Sequence, residues 1–177
     1  MHQLRLSGSG GQGVITAAII FAEAAVIEGK EAIQSQSYGP EARGGASKAE
    51  VIISNTPIYH PKVLEPELVL AMTQKAADKY YSDLHADGIL VIDEDLVPNP
   101  PDFAHTIRIP ITKLAVEKVG KSLFANIVAL GALVRITGLV KFETIQKCVA
   151  GRVPSHTIEK NMQALQVGWD AVNNIKA

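Results

Sequence analysis

A short apolar strand that runs directly into a cluster of glycines constrains this chain more than any other feature. Residues 4–7 lead into four glycines, and an alanine-rich stretch of helical character follows over residues 12–28. The glycines are Gly8, Gly10, Gly11 and Gly13. A strand, a glycine turn and a helix in this order are typical of α/β proteins. Because the backbone N–H groups of such a turn converge and the helix dipole adds partial positive charge, the turn is a candidate anion site.

Strand and helix patterns alternate along the first two thirds of the chain. Strands are predicted over residues 2–7, 31–37, 47–54, 68–72, 88–93 and 106–109. Helices are predicted over residues 12–28 and 74–83, and, from about residue 112 onward, over 112–119, 122–137, 142–150 and 155–174. Continuous apolar runs bounded by turns are expected of parallel strands that are covered on both faces. We therefore predict one domain over residues 1–177, a three-layer α/β/α Rossmann-like fold with a mostly parallel sheet and a helical C-terminal third.

A second glycine-rich segment, residues 37–45, lies about one βαβ unit downstream. Its notable residues are Tyr38, Glu41, Arg43, Gly44 and Gly45. The segment follows the second predicted strand, at the carboxyl edge where open α/β sheets collect ligands. A guanidinium beside flexible backbone can hold a phosphate or carboxylate in a bidentate grip. The pattern favours a ligand or subunit contact over the alternative, a surface turn built from Gly-Pro and Gly-Gly.

The first glycine turn satisfies the G-x-G-x-x-G pattern of dinucleotide-binding proteins, but the rest of that fingerprint is absent. The fingerprint requires an acidic residue at the end of the second strand to bind the ribose hydroxyls. That strand end reads Gln34 to Ser37, and Glu31 stands at the strand's beginning. A nicotinamide or flavin dinucleotide is therefore disfavoured. Two interpretations stay open: the glycines only permit a tight turn, or they bind the anionic group of another ligand.

Composition and missing motifs exclude several classes of function. The net charge is −1 and the chain has no basic run, so nucleic-acid binding is not indicated. The single cysteine, Cys148, excludes an internal disulfide and a cysteine-ligated cluster, and its predicted helix favours a packed thiol. With no secretory signal evident, a cytoplasmic location is expected.

The chain also shows no catalytic or metal-binding pattern. There is no G-x-S-x-G elbow and no Walker loop, and the five histidines lack metal-ligand spacing. The acidic triplet at residues 93–95 is interpreted as a solvated loop end rather than a cation site. Loops that could bind a ligand, in a chain without a recognisable catalytic motif, suggest one subunit of a larger assembly.

Three segments resemble one known family, the gamma subunits of 2-oxoacid:ferredoxin (acceptor) oxidoreductases. They are Gly8 to Val14 (GSGGQGV), Ser37 to Gly45 (SYGPEARGG) and Asn126 to Gly131 (NIVALG). The order of elements also matches, so the resemblance covers essentially the whole chain. Within the family the sequence is more similar to the 2-oxoglutarate type than to the pyruvate type.

The resemblance implies a role in the oxidative decarboxylation of a 2-oxoacid with coenzyme A, which gives an acyl-CoA, carbon dioxide and two electrons for ferredoxin. Thiamine diphosphate, Mg and the iron–sulfur clusters would belong to the complex and not to this chain, which would carry no catalytic residue. Its partners would be the alpha and beta subunits and a ferredoxin-like delta subunit.

The same resemblance suggests roles for both glycine-rich segments. Gly8, Gly10, Gly11 and Gly13 would offer backbone donors to an anionic group of coenzyme A, or shape a subunit contact. Arg43, with Gly44 and Gly45, would supply positive charge, and Tyr38 and Glu41 would fix that loop. The alternatives are a stand-alone dinucleotide-dependent oxidoreductase and a module that binds an anionic metabolite. An isolated subunit should expose an apolar patch and is expected to form homo-oligomers.

Overall fold

The fold is a six-stranded mixed sheet covered by helices on both faces. The computed structural model describes residues 1–37, 45–173 and 175. The strands are β1 (His2–Ser9), β2 (Glu31–Ser37), β3 (Ala46–Ser54), β4 (Leu68–Ala71), β5 (Ile89–Asp93) and β6 (Thr106–Ile109). The helices are α1 (Val14–Ile27), α2 (Gln74–Tyr80), α3 (Ile111–Leu114), α4 (Ala125–Thr137), α5 (Phe142–Arg152) and α6 (Ile158–Asn173). A π-helical segment, Ala115–Val119, extends α3. Short 3-10 helices, Ser122–Phe124 and Ser155–Thr157, precede α4 and α6. All the predicted strands and helices are present, with ends that differ by a few residues.

The strand order is β2-β3-β1-β4-β5-β6, and β3 alone runs against the other five. The prediction of a mostly parallel sheet is confirmed, but β3 lies antiparallel between β1 and β2. A buried apolar run reads the same in either direction, so the sequence of β3 does not reveal this. The length of the connection explains it, because residues 38–45 are too few for the crossover that parallel neighbours need.

The two faces of the sheet are covered unequally. On one face, Leu4, Leu6 and Leu70 pack in a large core with Phe21 of α1 and Leu130 of α4. A smaller cluster on the other face joins the strands to α2 and to the loops that follow it. It contains Val69, Ala71, Ala77, Leu84, Leu90, Ile92 and Val97. The three predicted layers are therefore present, with most of the helical mass on the face that α1 covers.

Two glycines let α4 and α6 pack closely together. A methyl group added at Gly168 would lie 2.7 Å from the carbonyl carbon of Val128 and closer still to its oxygen. A methyl group at Gly131 would lie 3.0 Å from the carbonyl carbon of Leu165 and likewise closer to its oxygen. The two helices therefore meet backbone to backbone. This contact holds α4 in place, and the first turn of α4 reaches the glycine turn after β1.

Among the residues that the structure describes, no helix is both long enough and apolar enough to cross a membrane.

Candidate functional site

The turn between β1 and α1 has a backbone that only glycine adopts readily. Gly11 has φ +90° and Gly13 has φ +76°, both in the left-handed region. Helix α1 begins directly after Gly13, two residues later than the sequence predicted, because Gly13 breaks the helical backbone. No side chain of the described residues caps its first turn. The N–H groups of that turn are therefore available to a ligand, and the helix dipole makes the position favourable for an anion.

The outer glycines, Gly8 and Gly13, lie against side chains of the same chain. The side chain of Gln12 fills the space beside Gly8, and its Oε1 accepts a hydrogen bond from the Ser9 backbone N–H (2.7 Å). A methyl group on Gly13 would lie 2.5 Å from Nδ2 of Asn126. Because Gly13 also has a positive φ, it has a structural role whether or not a ligand binds.

The inner glycines, Gly10 and Gly11, face open space. A methyl group on either would meet no atom of the described residues within 4 Å. Both line a cavity of about 330 Å³. Its other lining residues are Ser9, Gly13, Val14, Ile15, Thr16 and Ser47. Gly10 does not have a positive φ, so neither its conformation nor its packing against the described residues requires a glycine there. Its missing side chain suits the close approach of something outside the chain.

Both ends of the second glycine-rich segment lie at this same edge of the sheet. In the strand register Ser37 is opposite Lys48, and Ala46 is opposite Ser9. The segment therefore leaves β2 and enters β3 beside the glycine turn, and Gly45 comes directly before β3. Tyr38, Glu41, Arg43 and Gly44 lie outside the described residues, so their roles stay predictions.

The strand order also weakens the dinucleotide alternative. In the dinucleotide fold the second strand lies directly beside the first, which brings its terminal acid to the ribose. Here β3 separates β1 from β2, so the two strands lie about 10 Å apart instead of about 5 Å. Glu31 is opposite Ser54, at the edge of the sheet away from the glycine turn.

A buried ionic network that the sequence analysis missed lies on the α2 face of the sheet. Arg5 is 3% exposed, and its Nε donates to Glu50 Oε1 (2.8 Å). Its Nη2 donates to Asp83 Oδ2 (2.8 Å), while Nη1 donates to Asp83 Oδ1 and to the Tyr80 carbonyl (3.0 Å). The hydrogen bond from Arg5 is the main reason that the pKa of Asp83 is lowered. The sequence does contain a signal for this network, an arginine between two leucines of an apolar strand. Because side chains alternate along a strand, Arg5 lies on the face of the sheet opposite to Leu4 and Leu6. The network joins β1, β3 and the end of α2.

The interpretation of residues 93–95 as a solvated loop end is wrong for Asp93. This residue is fully buried, whereas Glu94 and Asp95 are exposed. Its Oδ2 accepts hydrogen bonds from the backbone N–H (2.9 Å) and the hydroxyl (2.6 Å) of Thr112. Burial raises its pKa. Asp93 thus satisfies donors at the start of α3, a contact between residues 19 positions apart that the local sequence does not show.

Cys148 is the packed thiol that the sequence predicted. It lies buried in α5, and burial raises its pKa, which disfavours the reactive thiolate. Within the part of the chain that the structure describes, no group of three or more His, Cys, Asp or Glu side chains could hold a metal ion.

Comparison with known proteins assigns the chain to a family. The pattern of the family described as pyruvate ferredoxin/flavodoxin oxidoreductase matches residues 3–171. The chain belongs to this family. Within it, the 2-oxoglutarate synthase subunit KorC of Methanocaldococcus jannaschii is 45% identical over 177 residues, which cover 98% of this chain and 95% of that protein. The pyruvate synthase subunit PorC of Methanothermobacter thermautotrophicus is 31% identical over 180 residues, covering 99% and 98% respectively.

A solved structure of the family has the same fold. The keto/oxoacid ferredoxin oxidoreductase gamma subunit from Geobacter sulfurreducens matches with a TM-score of 0.89 and 46% identity, covering 99% of this chain and 100% of that chain. The resemblance to the gamma subunits is therefore confirmed. So is the greater similarity to the 2-oxoglutarate type, since the KorC relative is more similar than PorC. The chain is a subunit of an oxidoreductase and contributes to an enzyme without being one alone.

Proposed function

We propose that this chain is the gamma subunit of a 2-oxoglutarate:ferredoxin oxidoreductase and that its glycine edge helps to form the coenzyme A entrance. The glycine edge comprises Gly10, Gly11 and the first turn of α1. The assembled enzyme would convert 2-oxoglutarate and coenzyme A to succinyl-CoA and carbon dioxide and pass two electrons to ferredoxin. The KorC relative supports the choice of 2-oxoglutarate.

One observation carries the assignment of the glycine edge. Gly10 and Gly11 expose their backbone to a cavity beside the uncapped N–H groups of α1, and nothing among the described residues requires a glycine at position 10. Coenzyme A carries phosphate groups that such donors bind well. Arg43 would add positive charge from the second glycine-rich segment, with Tyr38 and Glu41 shaping that segment.

The cofactors of the complex would be held by its other subunits. An iron–sulfur cluster needs several thiolates, and this chain has one cysteine, which is buried and has a raised pKa. Its donor set therefore does not fit such a cluster. Thiamine diphosphate with Mg would belong to the alpha and beta subunits, and the clusters to those subunits and a ferredoxin-like delta subunit. We place the complex in the cytoplasm.

The opposite edge of the sheet offers a surface for those partner subunits. The loop between β3 and β4 leaves the sheet there, and it exposes Tyr59 (83%) and Leu64 (73%). Val63 and Pro66 anchor the loop in the protein, and the Leu64 N–H donates to Gln3 Oε1 (2.8 Å). Large exposed apolar side chains on an anchored loop are typical of protein interfaces. Homo-oligomers of the isolated subunit would use the same surface.

A Gly10→Ala variant, measured in the assembled complex, tests the coenzyme A entrance. The added methyl group meets no atom of the described residues within 4 Å but should block the approach of the ligand, so we expect the KM for coenzyme A to rise about tenfold to a hundredfold. The KM for 2-oxoglutarate should not change. Arg43→Ala should act in the same direction. Gly151→Ala is the matched control, because a methyl group at this helical glycine also meets no atom of the described residues within 4 Å.

The outcomes separate the two interpretations of the glycine edge. An unchanged KM for coenzyme A in a fully assembled Gly10→Ala enzyme would exclude this edge from the entrance. Loss of assembly, with the Gly151→Ala control intact, would instead identify the edge as a subunit contact.

A further inference from the structure

Asn126 joins the C-terminal helices to the glycine edge. It lies in the first turn of α4, and its Nδ2 donates a hydrogen bond to the carbonyl of Gly13 (3.2 Å). The same side chain occupies the space that a Cβ of Gly13 would need. Residues 113 positions apart in the chain thus meet at the start of α1. Asn126 belongs to a motif that the sequence analysis singled out without giving it a role.

The hydrogen bond from Asn126 is one of two that fix the direction of one particular N–H group. The peptide between Gly13 and Val14 is planar and trans, so its C=O and N–H point in opposite directions. The carbonyl of Gly13 accepts from Asn126 and also from the backbone N–H of Ala17 (3.1 Å). The Val14 N–H therefore points back toward the glycine turn, where Val14 lines the cavity.

Gly13 needs such a tether more than another residue would. Glycine moves readily between positive and negative φ, and Gly13 sits at φ +76° without a side chain of its own to hold it there. A donor that is held in the bound geometry before the ligand arrives lowers the cost of ordering it on binding. Gly131 packs α4 against α6, which gives Asn126 a rigid base.

We infer that Asn126 is a positioning residue, which holds the Gly13–Val14 peptide so that the Val14 N–H faces an anionic group in the cavity. This inference rests on the proposed coenzyme A entrance. It connects the helical C-terminal third of the chain, whose described residues do not line the cavity, to the binding of the ligand.

Two variants of the assembled enzyme test the role of Asn126. Asn126→Leu keeps the branching at Cγ and removes the donor, and we expect it to raise the KM for coenzyme A about threefold to tenfold. Asn126→Asp keeps the shape but turns an acceptor toward the Gly13 carbonyl and adds negative charge, so its KM should rise more than that of Asn126→Leu. In both variants kcat at saturating coenzyme A and the KM for 2-oxoglutarate should stay close to the unmodified values.

Hydrogen–deuterium exchange supplies a readout other than activity. The backbone N–H of Ala17, which donates to the Gly13 carbonyl (3.1 Å), should exchange faster in both Asn126 variants, because that carbonyl has lost its second donor. Asn161→Asp is the matched control. Asn161 is a buried asparagine of α6, and its Nδ2 donates to the Thr157 carbonyl (3.0 Å) just before that helix. That variant should leave both the exchange of the Ala17 N–H and the KM for coenzyme A unchanged.

The order of the KM values decides the question. A packing role alone predicts that Asn126→Asp, which keeps the shape, binds coenzyme A normally, and that result would overturn the inference. If Gly10→Ala raises the KM and neither Asn126 variant does, the positioning role is wrong and the entrance stands. If none of the three variants raises it, the proposed entrance fails first. Should Asn126→Asp not assemble, Asn126→Leu decides alone.

Discussion

Replacing Gly168 by alanine should destabilise the protein far more than a single methyl group usually does. The methyl would lie 2.7 Å from the Val128 carbonyl carbon and 3.0 Å from the Ala132 nitrogen, and nearer still to the Val128 oxygen. All three atoms belong to the backbone of α4, so no side chain can rotate away to make room. The two helices would have to separate by about 1 Å, which opens gaps along their whole contact.

The expected loss follows from the cost of overpacking a close-packed interior. Such insertions typically cost about 1–3 kcal/mol, and a clash with backbone belongs at the upper end. For a chain of this size, about 3 kcal/mol corresponds to a fall in Tm of roughly 6–12 °C. Gly151→Ala provides the comparison, because its methyl group meets open space in α5. That change should stabilise the protein by about 0.5–1 kcal/mol, since alanine loses less backbone entropy in a helix.

Thermal and urea unfolding of the purified chain, followed by circular dichroism, measure both effects. Gly168→Ala should unfold at lower temperature and lower urea concentration than the unmodified chain, and Gly151→Ala at slightly higher values. Equal stability of the two variants would refute the argument, because it would mean that α4 and α6 are not held backbone to backbone. A loss at Gly168 with no change at Gly131→Ala would also contradict the close contact, since the two glycines face the same crossing.

Three further predictions concern charged residues of the network on the α2 face and the aspartate that contacts the start of α3. Arg5→Leu should cost about 1–3 kcal/mol in urea unfolding, because Glu50 keeps its ion pair with Lys48 (2.7 Å) but loses the hydrogen bond from Arg5. An Arg5→Leu variant as stable as the unmodified chain would contradict this. The lowered pKa of Asp83 means that its stabilising contribution is present at neutral pH and is lost as the pH falls through the folded-state pKa. Asp83→Asn should therefore destabilise the protein at neutral pH and have a smaller effect in acid. Asp93 has a pKa raised by burial, so its contribution is lost as the pH rises through the folded-state pKa, and Asp93→Asn should gain stability relative to the unmodified chain as the pH rises above the ordinary aspartate pKa of about 4. Parallel pH slopes for the two aspartate variants would refute these assignments.

The order and type of the elements were predictable because each depends on local pattern. Apolar runs bounded by turns identified the strands, and the glycines at positions 29, 120 and 138 ended helical stretches, where the structure has positive φ. The glycine turn after β1 was recognisable for the same reason, because its local pattern, an apolar strand followed by glycines and then by a helix, is distinctive. The direction of β3 was not predictable from its own residues, because a doubly buried strand has the same pattern in either direction.

The sequence by itself determined the fold class, the family and the place of the glycine turn, since these depend on short segments whose meaning does not change with context. Only the tertiary structure divided the four glycines into two that lie against other side chains, Gly8 and Gly13, and two that meet none of the described residues, Gly10 and Gly11. It also placed Asn126 on Gly13 and Thr112 on Asp93. These are contacts between residues that lie far apart in the sequence. The residues that flank a glycine or an aspartate do not indicate which distant residue will contact it in the folded protein.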